Sequence, residues 1–274
     1  MRLHRLLIVL GAAALAGCDE NAVQDISAPP PTATVRFFNF GVNAPQVHFW
    51  ANDQKLSGTS STTCQAAANP PVTANDTLCN TVGIQSVNGI AYGAVTAGGR
   101  YIAIEPGDYS LTSRITATVN NGVAINTLPA TFADGKSYSV YLSGFYNTTT
   151  RTSDGFYVED NYPAAIDWTQ PTVRFVNAIS NSEPMALVAV NVVTGAEVAI
   201  GAEVAYKSAS AFVTLPTGLY DLRTRYAGSA TNRIVRTAVG FGPGRTYTIT
   251  ARGDMTVTST TATNRPFLDN TTNR

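Results

Sequence analysis

Thr34-Val35-Arg36-Phe37-Phe38-Asn39 returns 138 residues later as Thr172-Val173-Arg174-Phe175-Val176-Asn177. Each copy is rich in β-branched and aromatic residues and runs into a polar stretch with a proline, Pro45 or Pro184, which reads as a strand entering a turn. The repetition continues outward. Pro106-Gly107-Asp108-Tyr109-Ser110-Leu111 matches Thr217-Gly218-Leu219-Tyr220-Asp221-Leu222 at an offset of 111. Gly135-Lys136-Ser137-Tyr138-Ser139-Val140 matches Gly244-Arg245-Thr246-Tyr247-Thr248-Ile249 at 109, and Asp160-Asn161 matches Asp269-Asn270 at the same 109. Four matches in one order indicate an internal duplication. The first offset falls from 138 to 111, so 27 residues of the first copy have no counterpart in the second.

The dominant periodicity within each copy is two. Residues 35–40, 101–104, 109–118, 138–142, 212–215, 220–226 and 247–251 alternate or are β-rich, and Gly, Pro or Asp bounds them. Asn120-Asn121-Gly122 predicts a hairpin turn, because Asn and Gly accept positive φ. Helical periodicity is scarce. Seven or eight short strands per repeat predict two tandem antiparallel β-sandwiches, an all-β chain. The boundaries read as repeat one at 34–169, with an insertion near 56–88, and repeat two at 171–274.

The first residues carry an address. Met1-Arg2-Leu3-His4-Arg5 is basic, residues 6–16 are apolar, and Gly17-Cys18 follows. That pattern is a secretory signal peptide, and the apolar run is too short to span a bilayer as a helix. A buried N-terminal helix or strand is the alternative, but polar, Pro-rich sequence follows at once. Leu15-Ala16-Gly17-Cys18 resembles the bacterial lipobox, in which diacylglycerol is added to the Cys thiol before cleavage ahead of it. Cys18 is then the lipidated first residue, and its acyl chains attach it at about 0.8 kcal/mol per buried CH₂. Residues 18–33, with Pro29-Pro30-Pro31, read as a tether. The expected location is the extracytoplasmic side of a bacterial envelope, periplasmic or at the cell surface.

Removing residues 1–17 leaves 16 basic and 18 acidic side chains, a formal charge of −2. A near-neutral surface lacks the clustered basic excess that nucleic acid requires. With Cys18 assigned to lipid, Cys64 and Cys79 remain as a pair inside the insertion. In an oxidising compartment a disulfide is the economical reading, against two free thiols or a metal site with no CxxC or His cluster to complete it. Asn69-Pro70-Pro71 and the Ser/Thr-rich stretch before Cys64 are loop chemistry, so the bridge would staple an insertion loop, either a binding loop or a decoration.

Catalytic constellations are sparse. The mature chain holds one histidine, His48, inside the strand-like Gln46-Val47-His48-Phe49-Trp50. No nucleophile elbow, Walker-type or dinucleotide-binding glycine loop occurs, and Gly240-Phe241-Gly242-Pro243-Gly244 reads as a turn. No cofactor is implied. Glu159-Asp160 and Glu105 with Asp108 are the carboxylate pairs a glycosidase would use, each at a predicted strand end where acids face water. Glu159, Asp160 and Asn161 with Asp154 offer oxygen donors for Ca²⁺. Phe145, Tyr146, Phe156, Tyr157, Tyr162 and Trp168 gather late in repeat one, as a sugar- or peptide-stacking surface or as core and interface. Arg252-Gly253-Asp254 matters as an integrin-type tripeptide only if it lies on an exposed loop. The weak binding candidates are therefore Glu159, Asp160, Tyr146, Tyr157 and Trp168.

Val35-Arg36-Phe37-Phe38-Asn39-Phe40 and Val173-Arg174-Phe175-Val176-Asn177-Ala178 resemble the opening strand of a bacterial extracytoplasmic family, the domain of unknown function 4397. Its later L-P-x-G-x-Y element looks like Leu215-Pro216-Thr217-Gly218-Leu219-Tyr220, altered in repeat one to Ile104-Glu105-Pro106-Gly107-Asp108-Tyr109. The resemblance implies immunoglobulin-like or transthyretin-like sandwiches in envelope lipoproteins, and no activity. Expected partners are the membrane, through Cys18, and an envelope protein or glycan. The expected function is a non-catalytic binding or structural module. A carboxylate-based hydrolase of envelope polysaccharide and a surface adhesin are the alternatives. Mass analysis of non-reduced peptides is expected to show Cys64 joined to Cys79, and two alkylatable thiols would refute the pairing.

Overall fold

The computed structural model describes residues 32–57, 60–61, 84–85, 89–163 and 166–274. Residues 1–31, with Cys18 and the expected signal peptide, and Cys64, Cys79 and most of the insertion lie outside the described residues. Repeat one forms β1 (Ala33–Asn39), β2 (Val47–Ala51), β3 (Gln54–Lys55), β4 (Ser60–Ser61), β5 (Ile84–Gln85), β6 (Ala94–Val95), β7 (Ile102–Ile104), β8 (Gly107–Ile115), β9 (Ala124–Phe132), β10 (Ser137–Asn147) and β11 (Thr152–Glu159). Repeat two forms β12 (Thr172–Asn177), β13 (Met185–Asn191), β14 (Glu197–Ala199), β15 (Ser208–Ala209), β16 (Val213–Thr214), β17 (Gly218–Tyr226), β18 (Val235–Phe241), β19 (Thr246–Arg252) and β20 (Phe267–Thr272). The described residues contain no α-helix, only a 3-10 turn at Thr96–Gly99. The chain is all-β.

Each repeat builds two main sheets, and in repeat one β4 and β5 pair as a separate two-stranded sheet. In repeat one the order is β11-β10-β1-β6, with β7 also on β1, and β3-β2-β8-β9. In repeat two it is β20-β19-β12-β15, with β16 also on β12, and β14-β13-β17-β18. The sequence predicts antiparallel sandwiches, and the sheets are antiparallel except for one strand pair in each repeat. β1 runs parallel to β10, and β12 parallel to β19. The cause is connectivity: the first and the late strand of each repeat are joined through the opposite sheet, the long crossover that a parallel pair requires.

The duplication is visible in the pairing register. Val47 faces Ile115 and Ala51 faces Leu111, while Met185 faces Tyr226 and Ala189 faces Leu222, which preserves the offsets of 138 and 111. Thr34 faces Ser137 as Thr172 faces Thr246, which preserves 138 and 109. The fourth match does not survive. Glu159 pairs with Tyr138, but Thr272 pairs with the equivalent Tyr247, so Asp160 and Asp269 hold different places in their sheets. Two adjacent identical residues were too short a string to define register.

Alternation explains the cores. Val35 and Phe37 of β1, Val47 and Phe49 of β2, Leu111 and Ile115 of β8, and Tyr138 and Val140 of β10 fill one cluster. Phe37 and Phe49 stack across the two sheets with ring centroids 4.9 Å apart. Val173, Phe175, Leu187, Leu222, Val239 and Ile249 fill the equivalent cluster in repeat two. Asn120 and Gly122 turn the β8–β9 hairpin at φ 61° and 80°. The opposite face of the β1 sheet is also covered. Phe38, Phe40, Tyr141 and Phe156 meet Val176, Ala178, Tyr206 and Ala209 of repeat two in a third cluster. Fully buried aromatic side chains of this kind stabilise by roughly 1.5–3 kcal/mol each. The two sandwiches therefore stack into four layers, with the β1 and β12 sheets buried on both faces, and Pro31–Arg274 form one compact unit.

Candidate functional site

The outward-facing positions of β1 and β12 hold one arginine each, Arg36 and Arg174, and both are almost fully buried. A strand alternates its side chains between faces, so placing Val35, Phe37, Val173 and Phe175 in the cores forces these arginines into the layer between the repeats. Such a pair of cations is unstable without a counter-charge. Asp160, the first residue after β11, supplies it, and is only 3% exposed. Its Oδ1 accepts a hydrogen bond from Arg174 Nη2. Its Oδ2 accepts from the Ser139 hydroxyl at 2.8 Å and from the Tyr101 hydroxyl. Arg36 Nη2 stands 3.8 Å from Oδ2, an ion pair too long to be a hydrogen bond.

The remaining guanidinium donors are distributed over neutral partners. Arg36 Nε donates to Ser139 Oγ at 2.9 Å and its Nη1 reaches the Gly99 carbonyl at 3.4 Å. Arg174 Nε donates to Thr248 Oγ1 at 3.1 Å and its Nη1 to the Glu159 carbonyl at 3.0 Å. Ser139 and Thr248 occupy matching places in the two repeats, so each arginine rests on a hydroxyl of its parallel neighbour strand. The Tyr101 ring covers Arg36 at 4.6 Å and the Phe212 ring covers Arg174 at 4.9 Å. These contacts spread the excess positive charge over π faces. Burial opposes the charged form of Arg174, but Asp160 prevails and raises its pKa above the ordinary value. Burial and the nearby Asp160 charge drive the Tyr101 hydroxyl far above its usual range, although Arg36 pulls the other way.

A cleft of about 590 Å³ opens beside this cluster, lined by Asn161, Tyr162, Pro163, Arg174, Ser210 and Phe212 among others. Tyr162 packs on Phe212 at 5.5 Å, and Arg274 lies over Tyr162 at 4.5 Å. A second bridge ties the repeats at Asp154. Its carboxylate receives Lys207 Nζ at 2.7 Å and the Tyr206 hydroxyl at 3.0 Å. Burial alone would raise the Asp154 carboxyl, but Lys207, the Gly155 N–H and Tyr206 together hold it below its ordinary value. Arg252 makes a third, pairing with Asp269 while lying over Phe40 and Tyr92 of repeat one at 5.6 and 5.0 Å.

Several expectations change. Asp160 was expected to face water and is instead enclosed, because the strand end that carries it is covered by repeat two. Glu159 points the other way and pairs with Lys136 at 2.8 Å. The two carboxyls thus face opposite sides of one strand, where a glycosidase needs both flanking one bond. Asp154 is held by Lys207 and Tyr206 and does not join them around a cation; among the described residues no group of three or more His, Cys, Asp or Glu is placed to hold a metal. Asp108 accepts from Thr131 Oγ1 at 2.6 Å.

The late aromatics do not gather into one surface. Tyr146 and Tyr157 pack against the repeat-one core, Phe156 lies between the repeats, and Trp168 stands apart, 76% exposed. Arg252-Gly253-Asp254 is no display loop: Arg252 is paired, Gly253 is buried, and Asp254 accepts from Asn181 and Thr256. His48 is a buried sheet residue whose Nδ1 lies 3.1 Å from Ser57 Oγ. Arg36 and Arg174 are the residues sequence reasoning passed over. The available signal was a cation at the same place in two otherwise apolar strands.

No protein-family model matches the chain, and no curated protein matches it. Among solved structures, the TIE protein of Bacillus anthracis aligns with 80% of this chain at 12% identity and a TM-score of 0.21. The chain covers 32% of that protein's length.

Asp160→Asn should leave two buried guanidiniums without a counter-charge and lower unfolding stability by about 3–5 kcal/mol. Replacing the whole triad at once, with Asp160→Leu, Arg36→Met and Arg174→Met, should recover most of that loss. Denaturant titration checks both. A wild-type midpoint for Asp160→Asn alone would refute the clamp.

Proposed function

We propose that the chain is a membrane-anchored cell-envelope lipoprotein whose paired sandwiches serve as a non-catalytic binding or structural module. Two features support this reading. The basic, apolar and Leu15-Ala16-Gly17-Cys18 segments lie in the order that export and acylation require. The acidic residue best placed for chemistry, Asp160, is committed to holding the repeats together. That commitment is the observation that carries the non-catalytic part. A carboxylate that is buried, ion-paired with one arginine, bonded to a second and satisfied by two hydroxyls is a structural anion rather than a proton donor to substrate. A polysaccharide hydrolase would need another acid pair.

A body braced in this way suits display as one rigid unit beside a membrane. Its ligand would be met by peripheral loops, as is usual for β-sandwiches. Cys18→Ala is expected to yield a precursor that keeps residues 1–17, gains no acyl mass and partitions into the aqueous phase on detergent phase separation. The unmodified chain should enter the detergent phase with its N-terminus at an acylated Cys18. Normal cleavage and detergent partition of Cys18→Ala would contradict the proposal.

A further inference from the structure

We infer that the end of the molecule at which the chain enters repeat one is a membrane-facing surface, whose exposed apolar side chains in repeat two insert into the lipid interface. The inference rests on the lipid anchor proposed above. It starts from an uneven distribution. Eight large apolar side chains are exposed among the described residues: Val119, Phe145, Ile166, Trp168, Val192, Val193, Leu219 and Val235. Five of them, Ile166 and Trp168 from the segment that leads into repeat two and Val192, Val193 and Leu219 from repeat two itself, lie at one end of repeat two. Val193 is 89% exposed.

The pairing places them there. Val192 and Val193 follow the last residue of β13, and Val192 N–H donates to the Leu219 carbonyl at 2.9 Å. Leu219 is the second residue of β17 and pairs with Gly240 near the end of β18. Trp168 packs over Gly244, in the turn from β18 to β19, where a Cβ would meet its ring at 3.0 Å. Thr217 Oγ1 donates to the Thr169 carbonyl at 3.2 Å, which joins the Trp168 segment to the start of β17. β12 starts at this end, since Thr172 faces Thr246.

The chain enters the body at the same end. β1 begins at Ala33, parallel to the start of β10, and β11 finishes beside that start at Glu159. Asp160 then contacts both Arg36, the fourth of the seven residues of β1, and Arg174, the third of the six of β12. At the opposite end, Arg252 of β19 lies over Phe40, just beyond β1. β1 and β12 therefore begin side by side, and the residues preceding Ala33 leave from the end that carries the apolar rim. Fifteen residue steps separate Cys18 from Ala33. Fully extended they would span at most about 50 Å, so the point where the chain joins this end stays within that reach of an acylated Cys18.

The rim suits a lipid interface. Tryptophan prefers the headgroup layer, where its ring is apolar on one side and its N–H can stay wet. Val192 and Val193 at a turn form a small wedge. Charge gives no one-sided attraction, because Arg245 and Arg274 beside Ile166 are offset by Asp167 there and by Asp53, Glu105, Asp108 and Asp134 in the neighbouring turns and strand starts of repeat one. The contact should therefore depend on apolar insertion and gain nothing from anionic lipid.

The test uses the full acylated protein in phosphatidylcholine vesicles with brominated acyl chains, which quench tryptophan emission on contact. The chain has two tryptophans, so the difference between wild type and Trp168→Phe isolates Trp168. The Trp168 signal is expected to lose roughly half or more of its intensity, as for a ring at the interface. Val193→Asp should reduce that loss about twofold or more by removing part of the wedge. Adding phosphatidylglycerol should not increase it. Unquenched Trp168 in a protein that stays vesicle-bound would overturn the docking surface while leaving the anchor intact; a self-associating rim would give that result. A chain that carries no acyl group and stays off vesicles would remove both.

Discussion

One carboxylate between two guanidiniums holds this molecule in its four-layer form. The sandwich cores need Val35, Phe37, Val173 and Phe175 on one face of their strands, and the alternation of a strand then commits Arg36 and Arg174 to the other face. Once the β1 and β12 sheets pack together, those cations lose water. Asp160 reaches both because it sits where the chain leaves repeat one for repeat two. The connection between the repeats is thus also the ionic clamp between them. Ser139, Thr248 and two backbone carbonyls accept from other guanidinium donors, Tyr101 and Phe212 cover the two planes, and Arg36 Nη2 is left with only its longer ion pair to Asp160.

Rigid placement follows from this arrangement. Apolar packing of Phe38, Phe40, Tyr141 and Phe156 against repeat two supplies attraction without direction. The Asp160 triad, the Asp154 bridge to Lys207 and Tyr206, and Arg252 on Phe40 and Tyr92 supply direction at separate points along the interface. Two repeats fixed by directional contacts present their outer sheets and end turns as one surface. The apolar rim and the chain entry share an end only because the repeats are locked side by side.

Much of the fold could be read from residues alone. Period-two alternation marked the main strands, and the offsets of 138, 111 and 109 reappear in the strand register because a duplicated hydrophobic pattern specifies a duplicated pairing. The packing between repeats was far less legible. Thr246, Thr248 and Thr250 of β19 and Ser139 and Ser143 of β10 look like solvent-facing positions, yet all are buried. A threonine on a sheet facing another sheet is chemically the same as one facing water. Asp160 misled for the same reason: a strand-end acid is ordinarily solvated, and only the position of repeat two encloses it. The parallel pairs were hidden too, because strand pattern carries no information about relative direction. The anchor and Cys64–Cys79 rest on motif and count, and they lie outside the described residues.

If the clamp makes one body of two repeats, the unfolding of the intact protein must be cooperative across both. Scanning calorimetry measures this directly by comparing calorimetric and van't Hoff enthalpies. The account predicts a single transition in which the two agree. Two resolved transitions, each carrying the enthalpy of one repeat, would contradict it.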